Sequence, residues 1–115
     1  MIHILDEIVL DPAQIPAVLR QLEESYLPGL PARPTLSLRQ RWASPPAVIP
    51  GRPNTLWLLW QVTDEPGYFR MRGSAGPEVA AFWQALDERC EHRRRHVLND
   101  AGLDLPRPLE GADAA

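Results

Sequence analysis

The chain has no lysine: all twelve of its basic residues are arginines. Schiff-base chemistry and any lysine nucleophile are therefore excluded. Cys90 is the only cysteine, so neither an intrachain disulfide nor a CxxC zinc site can form, which fits a reducing cytoplasm. No apolar run approaches the roughly 18 to 20 residues that a bilayer-spanning helix needs. The opening MIHILDEIVLD has no basic region ahead of its apolar run and meets Asp6 and Glu7 almost at once, so it does not read as a secretory signal. The net charge of −3 gives no general attraction to nucleic acid or to anionic membranes. No P-loop or GxGxxG turn is present, and RGSAG around Ser74 lacks the GxSxG order of a nucleophile elbow. The expectation is a cytoplasmic protein with neither nucleic acid nor membrane as partner.

The 115 residues suit one domain. Residues 2–10 alternate, with Ile2, Ile4, Asp6 and Ile8 on one side of a strand and His3, Leu5, Glu7 and Val9 on the other. Asp11-Pro12 supplies a cap and a first-turn proline. Ile15, Val18, Leu19, Leu22 and Tyr26 then form one helical stripe, which Pro28-Gly29 is expected to end. Residues 35–43 read as a second strand, with Leu36, Leu38, Gln40 and Trp42 opposite Thr35, Ser37, Arg39 and Arg41. The proline-rich SPPAVIPGRPN is a loop, and residues 55–63 a third strand on which Trp57 and Trp60 point to opposite faces. Asp64 and Pro66 open a short helix that breaks at Gly73. From Pro77 a longer helix carries Val79, Phe82, Trp83, Leu86 and Cys90 on one face and ends near His92. Residues 93–99 return as an edge strand, and residues 100–115 lack periodicity and read as a mobile tail.

Strand, helix, strand, strand, helix, strand is the order of a ferredoxin-like α+β fold with an antiparallel sheet. Two amphipathic helices cover one face of such a sheet and leave the other open. Burying one Trp removes roughly 150 to 250 Å² from water, which at about 25 cal/mol per Å² amounts to roughly 4 to 6 kcal/mol. A twin copy packed on the open face recovers that energy, and the expectation is an enclosed hollow beneath it.

The layout, with LWLLWQVTD, the segment YFRMR and PEVAAFW opening the last helix, resembles the dimeric α/β barrel superfamily over residues 2–99. That superfamily includes EthD-like, NIPSNAP-like and antibiotic-biosynthesis-monooxygenase-like proteins. The resemblance implies a homodimer with a pocket between each subunit's sheet and its second-helix region. Its members include cofactor-independent oxygenases, polyketide cyclases, lactone isomerases and haem-binding or haem-degrading enzymes. The fold therefore narrows architecture more than chemistry.

Asp6 shares a strand face with isoleucines and is the candidate general base, the alternative being a salt-bridged or interface carboxylate. The resemblance to the haem-degrading branch favours Asp6 over Glu7, because a polar residue near this place faces the pocket there. Arg39, Arg41, Arg70 and Arg72 are candidates for holding a carboxylate, enolate or phenolate through a forked hydrogen bond. The resemblance puts Arg72 first. Trp57, Trp60, Tyr68, Phe69, Met71, Phe82 and Trp83 are candidates for an aromatic lining, the alternative being plain core. Glu88, His92 and His96 would share a face on a continuous helix and could then bind a metal, but three arginines separate the histidines and solvated surface is the stronger reading. The histidine of the haem-degrading members falls near Phe82 and Trp83, neither of which ligates iron.

Three functions follow. The first is a cofactor-independent enzyme on a hydrophobic aromatic or polyketide-like molecule, with Asp6 and Arg72 as catalytic residues and no cofactor or metal. The second is a non-catalytic ligand-binding or accessory dimer of the same fold. The third is haem or metal binding.

Overall fold

The computed structural model describes residues 1–73 and 76–101, without the side chains of Glu65 and Arg72. The C-terminal segment expected to be mobile lies almost wholly outside the described residues. Four strands form one antiparallel sheet in the order β2-β3-β1-β4: β1 (Ile2–Leu10), β2 (Leu36–Ser44), β3 (Asn54–Val62) and β4 (His92–Asn99). Helix α1 (Ile15–Gln21) joins the first two strands, and α2 (Glu65–Gly73) and α3 (Pro77–Arg89) join the last two. This is the ferredoxin-like α+β fold that the element order predicts.

The central strands β1 and β3 bury alternate residues along their whole length. Ile4, Ile8, Leu56, Leu58, Trp60 and Val62 form the floor of the core, and Val18, Leu22, Phe82 and Leu86 descend on them from the helices. Trp60 is 1% exposed, and Trp57 points to the opposite face, where its indole N–H donates to Ser44 Oγ at 3.0 Å. Residue parity on a strand decides this, as the sequence pattern implied.

Two details differ from the sequence reading. The chain does not leave helix at Pro28-Gly29. A 3₁₀ turn at Pro12–Gln14 precedes α1, a π-helical turn spans Leu22–Tyr26, and a further 3₁₀ segment covers Leu27–Ala32. The Leu27 N–H bonds back to the Leu22 carbonyl, which keeps both Leu22 and Tyr26 turned into the core. The second difference is a register shift in β2 between Leu38 and Gln40. Leu36 and Leu38 lie opposite Val62 and Trp60, whereas beyond the shift Arg41 lies opposite Leu58 and Trp42 opposite Trp57. Gln40 and Trp42 therefore lie on the outer face, not with Leu36 and Leu38. A bulge adds one residue and inverts every later side chain, which plain alternation cannot anticipate.

No helix among the described residues is long and apolar enough to cross a membrane.

Candidate active site between the sheet and the helices

The register of β1 and β4 places Arg95 directly across from Asp6. Asp6 is 2% exposed, and its two oxygens accept from Arg95 Nε at 2.8 Å and Nη2 at 3.0 Å. Trp60 lies diagonally across on β3, two residues from Asp6's partner Leu58, and its indole N–H donates to Asp6 Oδ2 at 2.9 Å. Three donors thus converge on one carboxylate, the bidentate fork being the geometry that arginine favours. The apolar setting inferred from Ile4 and Ile8 is therefore incomplete, because the ion partner arrives from a strand 89 residues away in sequence.

The Arg95 side chain is 35% exposed. Burial works against its charge, but the hydrogen bonds and the charge of Asp6, with smaller effects from Tyr26 and Tyr68, outweigh burial and raise its pKa above the ordinary arginine value. Trp83 lies beneath two guanidiniums, with Arg93 and Arg95 at 4.9 and 5.0 Å from its ring centre. Alternate residues on β4 supply these contacts, and Arg93 is held in turn by Asp87 of α3. Each guanidinium is attracted to the negative face of the indole ring.

Arg95 borders a cavity of about 200 Å³ between the sheet and the helices, lined also by Trp60, Tyr26, Arg33, Met71 and Trp83. Tyr26, positioned by the π turn, touches Trp60 and Phe82 at 5.1 Å between ring centres and Trp83 at 6.0 Å. Arg33, at the end of the 3₁₀ segment and 8% exposed, donates to Tyr26 Oη at 2.9 Å and to the Met71 carbonyl at 3.2 Å. The cavity is on the helix face, next to the second-helix region; the hollow expected on the open face is one that a twin copy would enclose.

Of the residues proposed from sequence, the fold brings Trp60, Met71 and Trp83 together around this cavity, with Asp6 behind Arg95. Phe82 is buried against Tyr26 and Trp83, in the layer behind them. Tyr68 packs on the edge of the core, while Phe69 is 53% exposed. Trp57 is across the sheet, Arg39 is exposed at the bulge, and Arg41 pairs with Glu23 on the surface at 2.8 Å. Arg70 is exposed, and the Arg72 side chain lies outside the described residues. Glu88 is on α3, whereas His92 and His96 belong to β4, and His96 pairs with Glu7 at 3.0 Å on the outer face. Among the described residues no three His, Cys, Asp or Glu side chains assemble as a metal-holding group.

Sequence reasoning missed Tyr26, Arg33 and Arg95. Tyr26 was visible as the last residue of a helical stripe. Arg95 was visible only as the residue that an antiparallel edge strand would set opposite a lone buried Asp. Arg33, in PARPT, carries no periodic signal.

No family model matches the sequence, and no curated protein matches it. Solved structures match over nearly the whole chain. An uncharacterized NIPSNAP domain protein from Burkholderia xenovorans superposes with a TM-score of 0.66 at 17% identity, covering 93% of this chain and 100% of that one. A monooxygenase from the gene ActVA-Orf6 of Streptomyces coelicolor, in complex with nanaomycin D, gives 0.62 at 14% identity with 92% of each chain covered. An antibiotic biosynthesis monooxygenase gives 0.59 at 11% identity, covering 89% of this chain and 100% of that one. The likeness is one of fold, shared with NIPSNAP domain and antibiotic biosynthesis monooxygenase structures, the two kinds of protein named in the sequence resemblance.

Proposed function

We propose that this chain is a small-molecule-binding protein that acts as a cofactor-independent enzyme, of the oxygenase, cyclase or isomerase type, on a hydrophobic aromatic or polyketide-like substrate. The observation that carries this reading is a guanidinium, Arg95, clamped by a buried carboxylate at the wall of an aromatic cavity. Trp60, Trp83 and Tyr26 offer ring faces to a flat molecule. The third nitrogen of Arg95, Nη1, stands outside the fork with Asp6 and is the donor offered to a phenolate or enolate oxygen. Stabilising that charge in a partly dry site lowers the barrier to forming the electron-rich anion that then reacts. Asp6 first positions Arg95; as the only buried acid among the described residues it is also kept as the candidate base. Arg95 is in this proposal a second candidate for the role that the sequence reading gave to Arg72.

The second reading, a non-catalytic ligand-binding or accessory protein, draws support from the same carboxylate, whose oxygens are already engaged by three donors. Incubation of the purified chain in air with a panel of phenols and hydroxynaphthoquinones, followed by mass spectrometry, separates the two. Turnover without added cofactor, falling about 100-fold or more in Arg95→Gln, supports the enzyme. Binding without turnover, unchanged in Asp6→Asn, supports the accessory protein.

A further inference from the structure

Charge around the cavity does not balance. Arg33 and Arg95 both line it, and Asp6 is the only carboxylate bonded to either guanidinium among the described residues. Arg33 has two neutral acceptors, the Tyr26 hydroxyl and the Met71 carbonyl, and its Nε–H is buried with no hydrogen-bond partner. The Tyr26 ring lies 5.8 Å from the Arg33 guanidinium carbon, which adds polarisable but uncharged surroundings. Glu78 shares with Arg33 the lining of an adjoining cavity but forms no ion pair with it. A buried cation with only neutral partners is costly, and an anion entering the cavity that Arg33 lines offsets that cost.

Resting on the pocket assigned above, we propose that Arg33 is an anion-binding residue of that pocket, and that the ligand is a small aromatic carboxylate whose carboxyl group docks on Arg33 while its ring lies among Tyr26, Trp60 and Trp83. The volume limits the size: about 200 Å³ is below the roughly 300 to 1,000 Å³ of sites for drug-sized ligands. That suits one ring with short substituents, the phenol-sized members of the aromatic class proposed above rather than its fused-ring members. The two guanidiniums then have separate tasks, Arg33 taking the permanent charge and Arg95 the oxygen that becomes charged during reaction. Arg95 already spends its fork on Asp6, whereas Arg33 has no anion among the described residues, so a carboxylate entering the cavity gains most at Arg33.

NMR titration of the intact chain with benzoate and with its neutral isostere benzamide tests this. Benzoate is expected to bind about tenfold more tightly or better, the scale of one charge-assisted hydrogen bond. The preference should fall to parity in Arg33→Gln and persist in Arg95→Gln. Arg33→Lys, which keeps the cation in place, should retain its direction, and parity there overturns the assignment even if Arg33→Gln does not fold. Benzamide binding as well as benzoate overturns the role of Arg33 and leaves the pocket standing. A preference that survives Arg33→Gln and vanishes in Arg95→Gln does the same. Failure of both probes to bind overturns the pocket and Arg33 together.

Discussion

The Asp6–Arg95 pair is unequal in its surroundings: the aspartate side chain is 3% exposed and the arginine side chain 35%. Removing Arg95 strands a buried charge, so Arg95→Gln should destabilise the chain by about 3 kcal/mol, the low end for a broken buried pair. Asp6→Asn leaves a guanidinium that can reach water and keeps an acceptor for Trp60, so its cost should be about 1 to 2 kcal/mol. The double variant should lose less than the sum of the two, by about 1 kcal/mol or more, and urea denaturation of all four proteins measures the coupling. Strict additivity would mean that the fork contributes nothing to folding. What the sequence revealed at this scale was the position of Asp6: strand parity put it on a buried face. Its partners were hidden, because pairing across strands depends on register, and nothing local in RRRHVLN selects Arg95 over its neighbours.

At the scale of elements, the opening of α2 depends on a glycine for lack of room rather than for backbone freedom. Asp64 Oδ1 accepts the Gly67 N–H at 2.6 Å, and a Cβ on Gly67 would stand 2.9 Å from that same oxygen and 3.3 Å from Thr35. Alanine ordinarily gains about 1 kcal/mol over glycine within a helix. Here Gly67→Ala should instead cost about 1 kcal/mol, the value of a lost cap. Gly73→Ala, with nothing within 4 Å of the new carbon, serves as the control that shows the ordinary gain. Thermal melting of the two variants checks the opposite signs. The strands were legible to within a residue or two, because β1 and β3 alternate, whereas the helix ends were not: helical turns continue to Ala32 past Pro28-Gly29, and α3 stops at Arg89, short of His92. The bulge in β2 was not, since Trp42 obeys the same parity as Leu38 on paper and is moved to the other face by one unpaired residue. Nor was the π turn, which leaves the apolar spacing of Leu22 and Tyr26 intact.

At the scale of the molecule, the outer face of the sheet carries Leu5, Leu59, Trp57 and the 49% exposed Trp42, with Leu98 45% exposed toward the β4 edge. That apolar band is the surface on which the proposed homodimer would form. Sedimentation equilibrium should find a dimer for the native chain and a monomer for Trp42→Glu, and a native chain that stays monomeric at high concentration removes the proposal. The partition of indoles has an optical consequence. Trp60 and Trp83 border the cavity, whereas Trp42 and Trp57 sit on the opposite side of the sheet. Intrinsic emission therefore carries two separable signals, and replacing one pair by phenylalanine turns the remaining pair into a reporter of either cavity occupancy or self-association.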